Sequence, residues 1–364
     1  MVVHLRGTER LLVRLPRWLG DLVAAEPVAG RLAEVWRTAG DPARLTLAGP
    51  GRFLDLLRRC APWAAQDPAR GGPSWAAVDD GTWPRALGGQ EVVLLGTGSL
   101  RSALEARRAG VPRRVGWARD GRRWLLTDAP VPAREAGGTP LGIGRPGRWP
   151  RWLPRSVTAS LAELAALLGH APDRRRPLLV ADAAARAAAV AALGEAGVEP
   201  GYLLLNLGGR DGSTKAYPAW AEVLEELARR APDRGLVAVA GPGEGGRLAE
   251  LDASLAAWPG PRLVRGGETA PDLPELVALA EGCAAFATTD SGPRHVLAAT
   301  GAQGVVLFGP TDPRHTVEHL AGITRLVGRA PCGPCHLEAC DQAGGDRLRC
   351  WSGVEPGAVA RALA

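Results

Sequence analysis

Short apolar runs alternate with amphipathic segments along the whole chain, and this alternation restricts the fold more than any other feature. Residues 10–15 read RLLVRL and a helix-patterned stretch follows to Arg37. RLTLAG (44–49), RFLDLLRRC (52–60), EVVLLGT (91–97) and SLRSALEARRAG (99–110) continue the rhythm. Runs this apolar suit strands buried on both faces, with the intervening helices as their cover, so the pattern predicts a parallel α/β sheet. The second half repeats it: YLLLNL (202–207), a helix over 219–231, LVAVAG (236–241), a helix over 272–283, AAFATTD (284–290), a helix over 293–300 and GVVLFG (304–309).

A chain of 364 residues exceeds one ordinary core and suits two domains of roughly 150 to 200 residues. Residues 131–156 are rich in Gly, Pro and Arg without periodicity, and APDRRRP (171–177) separates two Ala-rich helices. The expected hinge lies between 165 and 180, giving two Rossmann-like, doubly wound domains, 1–170 and 171–364. Ligands of such sheets bind at the carboxyl ends of strands. Two facing domains then offer one cleft, with a donor held on one side and an acceptor on the other.

Arg6, Glu9, Arg10, Arg14 and Arg17 interrupt the N-terminal apolar residues, leaving no signal-peptide core. No apolar run reaches the roughly 18 to 20 residues of a membrane span, so the chain reads as cytoplasmic. Its net charge of +6 permits attraction to anionic partners. Arg101, Arg107, Arg108, Arg113, Arg114, Arg119, Arg122 and Arg123 crowd one segment, where they are either a solvated face or a surface for carboxylates and phosphates. Trp117 and Trp124, in the same segment, are expected to pack in the core. Basic residues alone do not make a nucleic-acid readout surface, and no nucleic-acid partner is expected.

Three constellations carry chemistry. NLGGRDGSTKAYP (206–218) holds the only asparagine and the only lysine of the chain. Gly208, Gly209 and Gly212 allow a tight turn, Ser213 and Thr214 add hydroxyls, and Lys215 adds a charge. Together they form either an anion cradle suited to phosphate or a plain surface turn. In TTDSGPRHVLAATG (288–301), Asp290 ends a strand, Ser291 and Gly292 turn, and Pro293 starts a helix whose first turn carries His295. Helix N-termini attract anions; Asp290 or Ser291 could equally be an N-cap, and His295 could donate to a phosphate oxygen. In LPRWLGDLVAAEP (15–27), Asp21 follows the first strand and is either a general base toward the cleft or a helix cap. The spacing Cys332, Cys335, Cys340, Cys350 fits either a structural zinc site or free thiols. Cys60 and Cys283 are expected to be buried packing residues.

RLLVRLPRWLGDLVAAEPV, SLRSALEARRAGVPRRVGWARDGRRWLLTD, NLGGRDGSTKAYPAWAEVL, TTDSGPRHVLAATGAQGVVLFGPTDPRHT and CGPCHLEAC together resemble the ADP-heptose:lipopolysaccharide heptosyltransferases of glycosyltransferase family 9, nearest the heptosyltransferase II branch. The resemblance implies a GT-B fold and inverting transfer of a heptose from ADP-heptose to a lipopolysaccharide inner-core acceptor. It makes Asp21 the base and Lys215 the diphosphate lysine, and assigns Asp290, Ser291, Gly292 and His295 to the nucleotide site. Glu244 in GPGEGGR matches a glutamate on the ribose or base side. Ser213 and Thr214 join the donor loop, whose NLGGRDG opening departs from the family's more frequent P-G-A-like form. The implied partners are a nucleotide sugar and an anionic, lipid-linked saccharide, with peripheral contact at the inner face of the inner membrane. No D-x-D element ends a strand, so neither a cofactor nor a catalytic metal is expected. The alternatives are another nucleotide sugar as donor, or a noncatalytic nucleotide-sugar-binding protein; GPTDP (309–313) and the Gly20-Asp21 element disfavour an epimerase.

Overall fold

The computed structural model describes residues 4–64, 71–78, 82–135, 151–152, 155–208 and 213–364. Its contacts divide the chain into two units, Met1–Arg134 with Arg155–Leu179, and Glu135–Pro154 with Val180–Ala364. Most of the Gly/Pro/Arg-rich stretch 131–156 lies outside the described residues, as do Gly209 and Gly212.

The first unit runs β1 (Leu11–Arg14), α1 (Leu19–Ala24), α2 (Glu26–Thr38), β2 (Leu45–Gly49), α3 (Gly51–Cys60), β3 (Ser74–Ala77), α4 (Trp83–Ala86), β4 (Val92–Leu95), α5 (Leu100–Arg108) and β5 (Arg113–Val115). A short pair, β6 (Arg134–Glu135) and β7 (Arg151–Trp152), falls mostly in the segment 135–154 assigned to the second unit, and α6 (Val157–Ala166) follows in the first. The main sheet is parallel with order β3-β2-β1-β4-β5. Every residue of β1 and β4 is buried, as central strands covered by helices on both faces must be. Where β4 leaves the sheet the chain passes very close to β1: a Cβ on Gly96 would lie 2.7 Å from the Arg14 carbonyl oxygen. Only glycine fits there.

One buried carboxylate ties the segment after α6 to this unit. Glu26, fully buried at the start of α2, accepts from Trp63 Nε1 at 2.9 Å, from Arg174 at 2.7 and 2.8 Å, and from the Leu178 N–H at 2.9 Å. Residues 174–178, read from the sequence as part of the hinge, are therefore fastened to α2.

The second unit contains α7 (Ala183–Glu195), β8 (Leu203–Asn206), α8 (Trp220–Arg230), β9 (Leu236–Val239), α9 (Gly245–Glu250), α10 (Asp252–Ala256), β10 (Arg262–Arg265), α11 (Leu273–Gly282), β11 (Ala285–Thr289), α12 (Gly292–Ala299), β12 (Gly304–Phe308), β13 (Ile323–Val327) and α13 (Pro356–Leu363). All its strands are parallel, in the order β10-β9-β8-β11-β12-β13, the doubly wound arrangement of dinucleotide-binding sheets. Sequence reasoning does not find β10 or β13. Both are edge strands interrupted by arginine, Arg262 and Arg265 in β10 and Arg325 in β13, so they lack the continuous apolar run of the central strands. Cys60 is buried as expected. Cys283 is only half-buried at the end of α11, where its Sγ donates to the Ala280 carbonyl at 3.2 Å.

Replacing Glu26 with Ala strands the Leu178 and Trp63 N–H groups and leaves a void. We expect Glu26→Ala to lose about 2–4 kcal/mol of stability in urea unfolding. A loss below about 0.5 kcal/mol, the range of ordinary surface changes, would contradict the anchoring role.

Candidate active site

The strand order of the second unit reverses between β8 and β11, where crossovers leave in opposite directions and open a crevice at the carboxyl ends. Asn206 and Thr288 are register partners there, and Asn206 Nδ2 donates to Thr288 Oγ1 at 2.9 Å with both residues buried. The single asparagine thus joins the two strand ends beneath the site. Immediately beyond it, the Glu244 carboxylate occupies the space that a Cβ on Gly208 would need. Glu244 Oε2 also accepts from the Gly241 N–H at 2.8 Å, so this glutamate packs the loops after β8 and β9 against each other.

The lysine loop is fixed by a segment more than 120 residues further along. Thr214 donates its N–H to the Glu338 carbonyl at 2.9 Å, its hydroxyl donates to the Leu337 carbonyl, and its own carbonyl accepts from Trp351 Nε1 at 3.0 Å. Ser213 forms an antiparallel bridge with Ala339, and its Oγ accepts the Lys215 N–H at 3.2 Å. Thr214 is buried, and its hydroxyl is spent on this brace rather than turned to a ligand as the sequence suggested. Lys215 itself is half-buried. Its charge helps hold both His295 and His336 unprotonated, which sets the ammonium within electrostatic reach of both rings.

Across the crevice, Asp290 and Ser291 lead into α12, with Pro293 in its first turn. Ser291 occupies the N-cap position without capping through its side chain. Its Oγ is enclosed and has no hydrogen-bond partner among the described residues. Asp290 instead pairs with Arg294 four residues on, at 2.9 Å. Arg294 is fully buried, donates to Thr316 Oγ1 at 2.7 Å and His295 Nε2 at 2.9 Å, and lies 5.7 Å from the Phe308 ring centroid. Sequence reasoning overlooks Arg294, although its i,i+4 spacing from Asp290 was the available signal.

His295 is buried, with Nδ1 3.2 Å from His319 Nδ1. Because Nε2 accepts from Arg294, Nδ1 must carry the proton and donate to His319. Burial first, then the charges of Arg294, His319 and Lys215, push its pKa well below the ordinary value. Both ring nitrogens thus have partners within the protein, and His295 is part of the network behind the Asp290 turn. His336, left-handed at φ +54°, accepts the Asp312 N–H at Nε2, 3.2 Å away. It is pushed down to about 4 by burial, with His315 and Lys215 opposing its charge. The structure therefore gathers Lys215, Asp290, Ser291, Gly292 and His295 around one crevice, with Glu244 and Ser213 on its loops.

Asp21 belongs to the first unit. It is the third residue of α1, half-buried, just beyond the carboxyl end of the central strand β1. Trp18, not Asp21, holds the N-cap position. Much of the arginine cluster is structural. Arg122 is buried and donates to the Trp117 and Thr97 carbonyls at 2.9 and 2.6 Å. Arg113 pairs with Asp128 at 2.9 Å, and Arg114 donates to the Leu125 carbonyl at 2.7 Å. Trp117 Nε1 donates to the Ser160 carbonyl at 3.1 Å. Trp124 is 63% exposed with Arg107 over its ring, contrary to its expected place in the core.

The cysteine segment packs on the lysine loop. Burial raises the Cys350 thiol to about 11, and the nearby Cys335, Cys340 and Cys332 add to the shift. All four are free thiols. Among the described residues no three His, Cys, Asp or Glu side chains converge to hold a metal ion. No helix among them is long and apolar enough to cross a membrane.

Solved structures share this architecture. The glycosyl transferase family 9 protein from Veillonella parvula DSM 2008 superposes with a TM-score of 0.69 at 18% identity, covering 100% of this chain and 98% of that one. E. coli ADP-heptose lps heptosyltransferase II gives 0.64 at 21%, covering 89% and 92%. E. coli heptosyltransferase WaaC with ADP-2-deoxy-2-fluoro heptose gives 0.60 at 15%, covering 97% and 98%. Two Rossmann-type units of this kind define the GT-B class of sugar-transfer fold. The chain belongs to glycosyltransferase family 9 (heptosyltransferase), whose profile matches residues 148–343, more than half its length. Lipopolysaccharide heptosyltransferase 2 of Escherichia coli (strain K12) is 30% identical over 246 residues and that of Salmonella typhimurium 29% over 238. Each alignment spans 63% of this chain and 63% of the relative, less than two thirds of its length.

Because the folded His336 takes up its proton near pH 4 instead of 6.5, the unfolded chain binds more protons between those values. Stability is therefore fully present above about 6.5 and lost as pH falls toward about 4. Urea midpoints measured from pH 7 to pH 4.5 should fall, and His336→Asn, which retains an acceptor for the Asp312 N–H, should flatten part of that slope. An unchanged slope in the variant would contradict the assignment.

Proposed function

We propose that this protein transfers a heptose from ADP-heptose to a lipopolysaccharide inner-core acceptor with inversion at the anomeric carbon. The observation that carries this reading is Lys215 within electrostatic reach of His295 and His336 at the β8/β11 switch point, where the Asp290-Ser291-Gly292 turn opens α12. A lysine ammonium and the N-terminus of the eight-residue α12 are complementary to a diphosphate. The names of the curated relatives, lipopolysaccharide heptosyltransferase 2, supply the sugar and the acceptor class.

In this reading Asp21 accepts the proton of the acceptor hydroxyl while that oxygen attacks the anomeric carbon, and the C–O bond to ADP breaks on the opposite face. Lys215 and the first turn of α12 stabilise the charge that develops on the departing diphosphate. That role requires no catalytic metal. Ser291 Oγ offers a further donor, and Glu244 borders the same loops from the β9 side. Arg294 and His295 hold the Asp290 turn in place without touching the donor. A lipid-linked acceptor brings the protein to the cytoplasmic face of the inner membrane as a peripheral enzyme.

Heptosyl transfer from ADP-heptose, assayed with a chelator present, should persist in the wild type and fall by about 10²–10⁴-fold in Asp21→Asn, the range of general-base catalysis. ADP affinity should be unchanged in that variant. Transfer at the wild-type rate by Asp21→Asn would remove the base assignment, and loss of activity on chelation would remove the metal-free mechanism.

A further inference from the structure

Trp18 occupies a position that folding alone disfavours twice. It is the N-cap of α1, and its carbonyl accepts the Leu22 N–H at 2.9 Å to open the helix. Ser, Thr, Asp and Asn are the residues that stabilise this position by accepting from the first-turn N–H groups, and an indole cannot do so. No side-chain cap bond is made here. The same indole is 65% exposed, so the largest apolar side chain remains mostly in water. Among the described residues the other strongly exposed indole, Trp124, has a partner in the guanidinium of Arg107, 5.3 Å above its ring. No hydrogen bond, ion pair or ring contact reaches the indole of Trp18 among the described residues.

Three residues after Trp18, in the same turn, comes Asp21, with only Leu19 and the buried Gly20 between them. An indole face is a good surface for the C–H face of a pyranose ring, and its polar N–H tolerates water at one edge. We propose that Trp18 is a positioning residue that packs against a sugar ring of the acceptor and so presents the acceptor hydroxyl to Asp21. The inference rests on the heptosyl-transfer reading and deepens it by placing the saccharide, rather than the lipid, of the acceptor against this indole.

The test uses the full chain with ADP-heptose and a deacylated, lipid-free inner-core saccharide. Trp18→Ala should raise the acceptor KM by about tenfold, the order of one lost stacking contact, while kcat and ADP affinity stay near wild type. Trp18→Phe should restore most of the acceptor KM. Trp18→Ser supplies the missing cap and should unfold at a higher urea concentration than wild type while showing the same raised acceptor KM. An unchanged acceptor KM in an active Trp18→Ala enzyme overturns the inference and leaves the heptosyl-transfer reading standing. A defect seen only with acceptor in phospholipid vesicles would make the indole a lipid contact and overturn it as well. So would a Trp18→Ser protein less stable than wild type, because the indole would then be part of the fold. A wild-type protein unable to transfer heptose to either form of acceptor removes both the reading and the inference.

Discussion

A guanidinium wholly removed from water governs the second unit's site. Arg294 is tolerated in the interior because Asp290 pairs with it and Thr316 and His295 accept from it, and a buried charge deprived of such partners is strongly destabilising. The same bonds fix the carboxylate of Asp290, the ring of His295 and, through His295, the ring of His319. The turn that starts α12 is therefore set before any ligand arrives. A preorganised helix terminus of this kind needs little rearrangement to receive an anion.

The opposite wall is held by a long-range clamp. Thr214 is bonded through its N–H, hydroxyl and carbonyl to residues 337, 338 and 351, and Tyr217 meets both Trp220 and Trp351 edge-on. The irregular cysteine-bearing segment is thereby part of the site's framework. Burial keeps the thiols of Cys335 and Cys350 protonated, which makes them poor nucleophiles. Lys215 stands at the end of this clamp with its side chain half-buried, next to two imidazoles that burial keeps neutral. Lys215 and the N-terminus of α12 thus both lend positive character to the crevice.

The central strands β1, β4, β8, β11 and β12 were legible because continuous apolar runs have few other uses, and the lone Lys215 and the Asp290-Ser291-Gly292 turn were legible because each sits where such a strand ends. What escaped depends on contacts distant in sequence. Thr214 reads as a ligand-facing hydroxyl until residues 337–338 are brought against it. His295 reads as a phosphate donor until Arg294 and His319 occupy its nitrogens. Arg294 was lost among arginines whose abundance hides the buried ones, Arg122 included. The place of Trp18 is set by its exposure at a helix cap, which sequence periodicity does not report. The edge strands β10 and β13 escape because arginines break their apolar runs, and charge on an edge strand is what discourages further pairing.

The claim on which the functional reading turns is that Lys215 holds a diphosphate. Calorimetric titration of ADP, UDP and GDP into the wild type and Lys215→Ala, without added metal, tests it most directly. The expected result is selective ADP binding by the wild type and affinity weakened by about 10- to 100-fold in the variant, the worth of one charge-assisted contact, with unchanged thermal stability. Equal ADP affinity in the two proteins would contradict it.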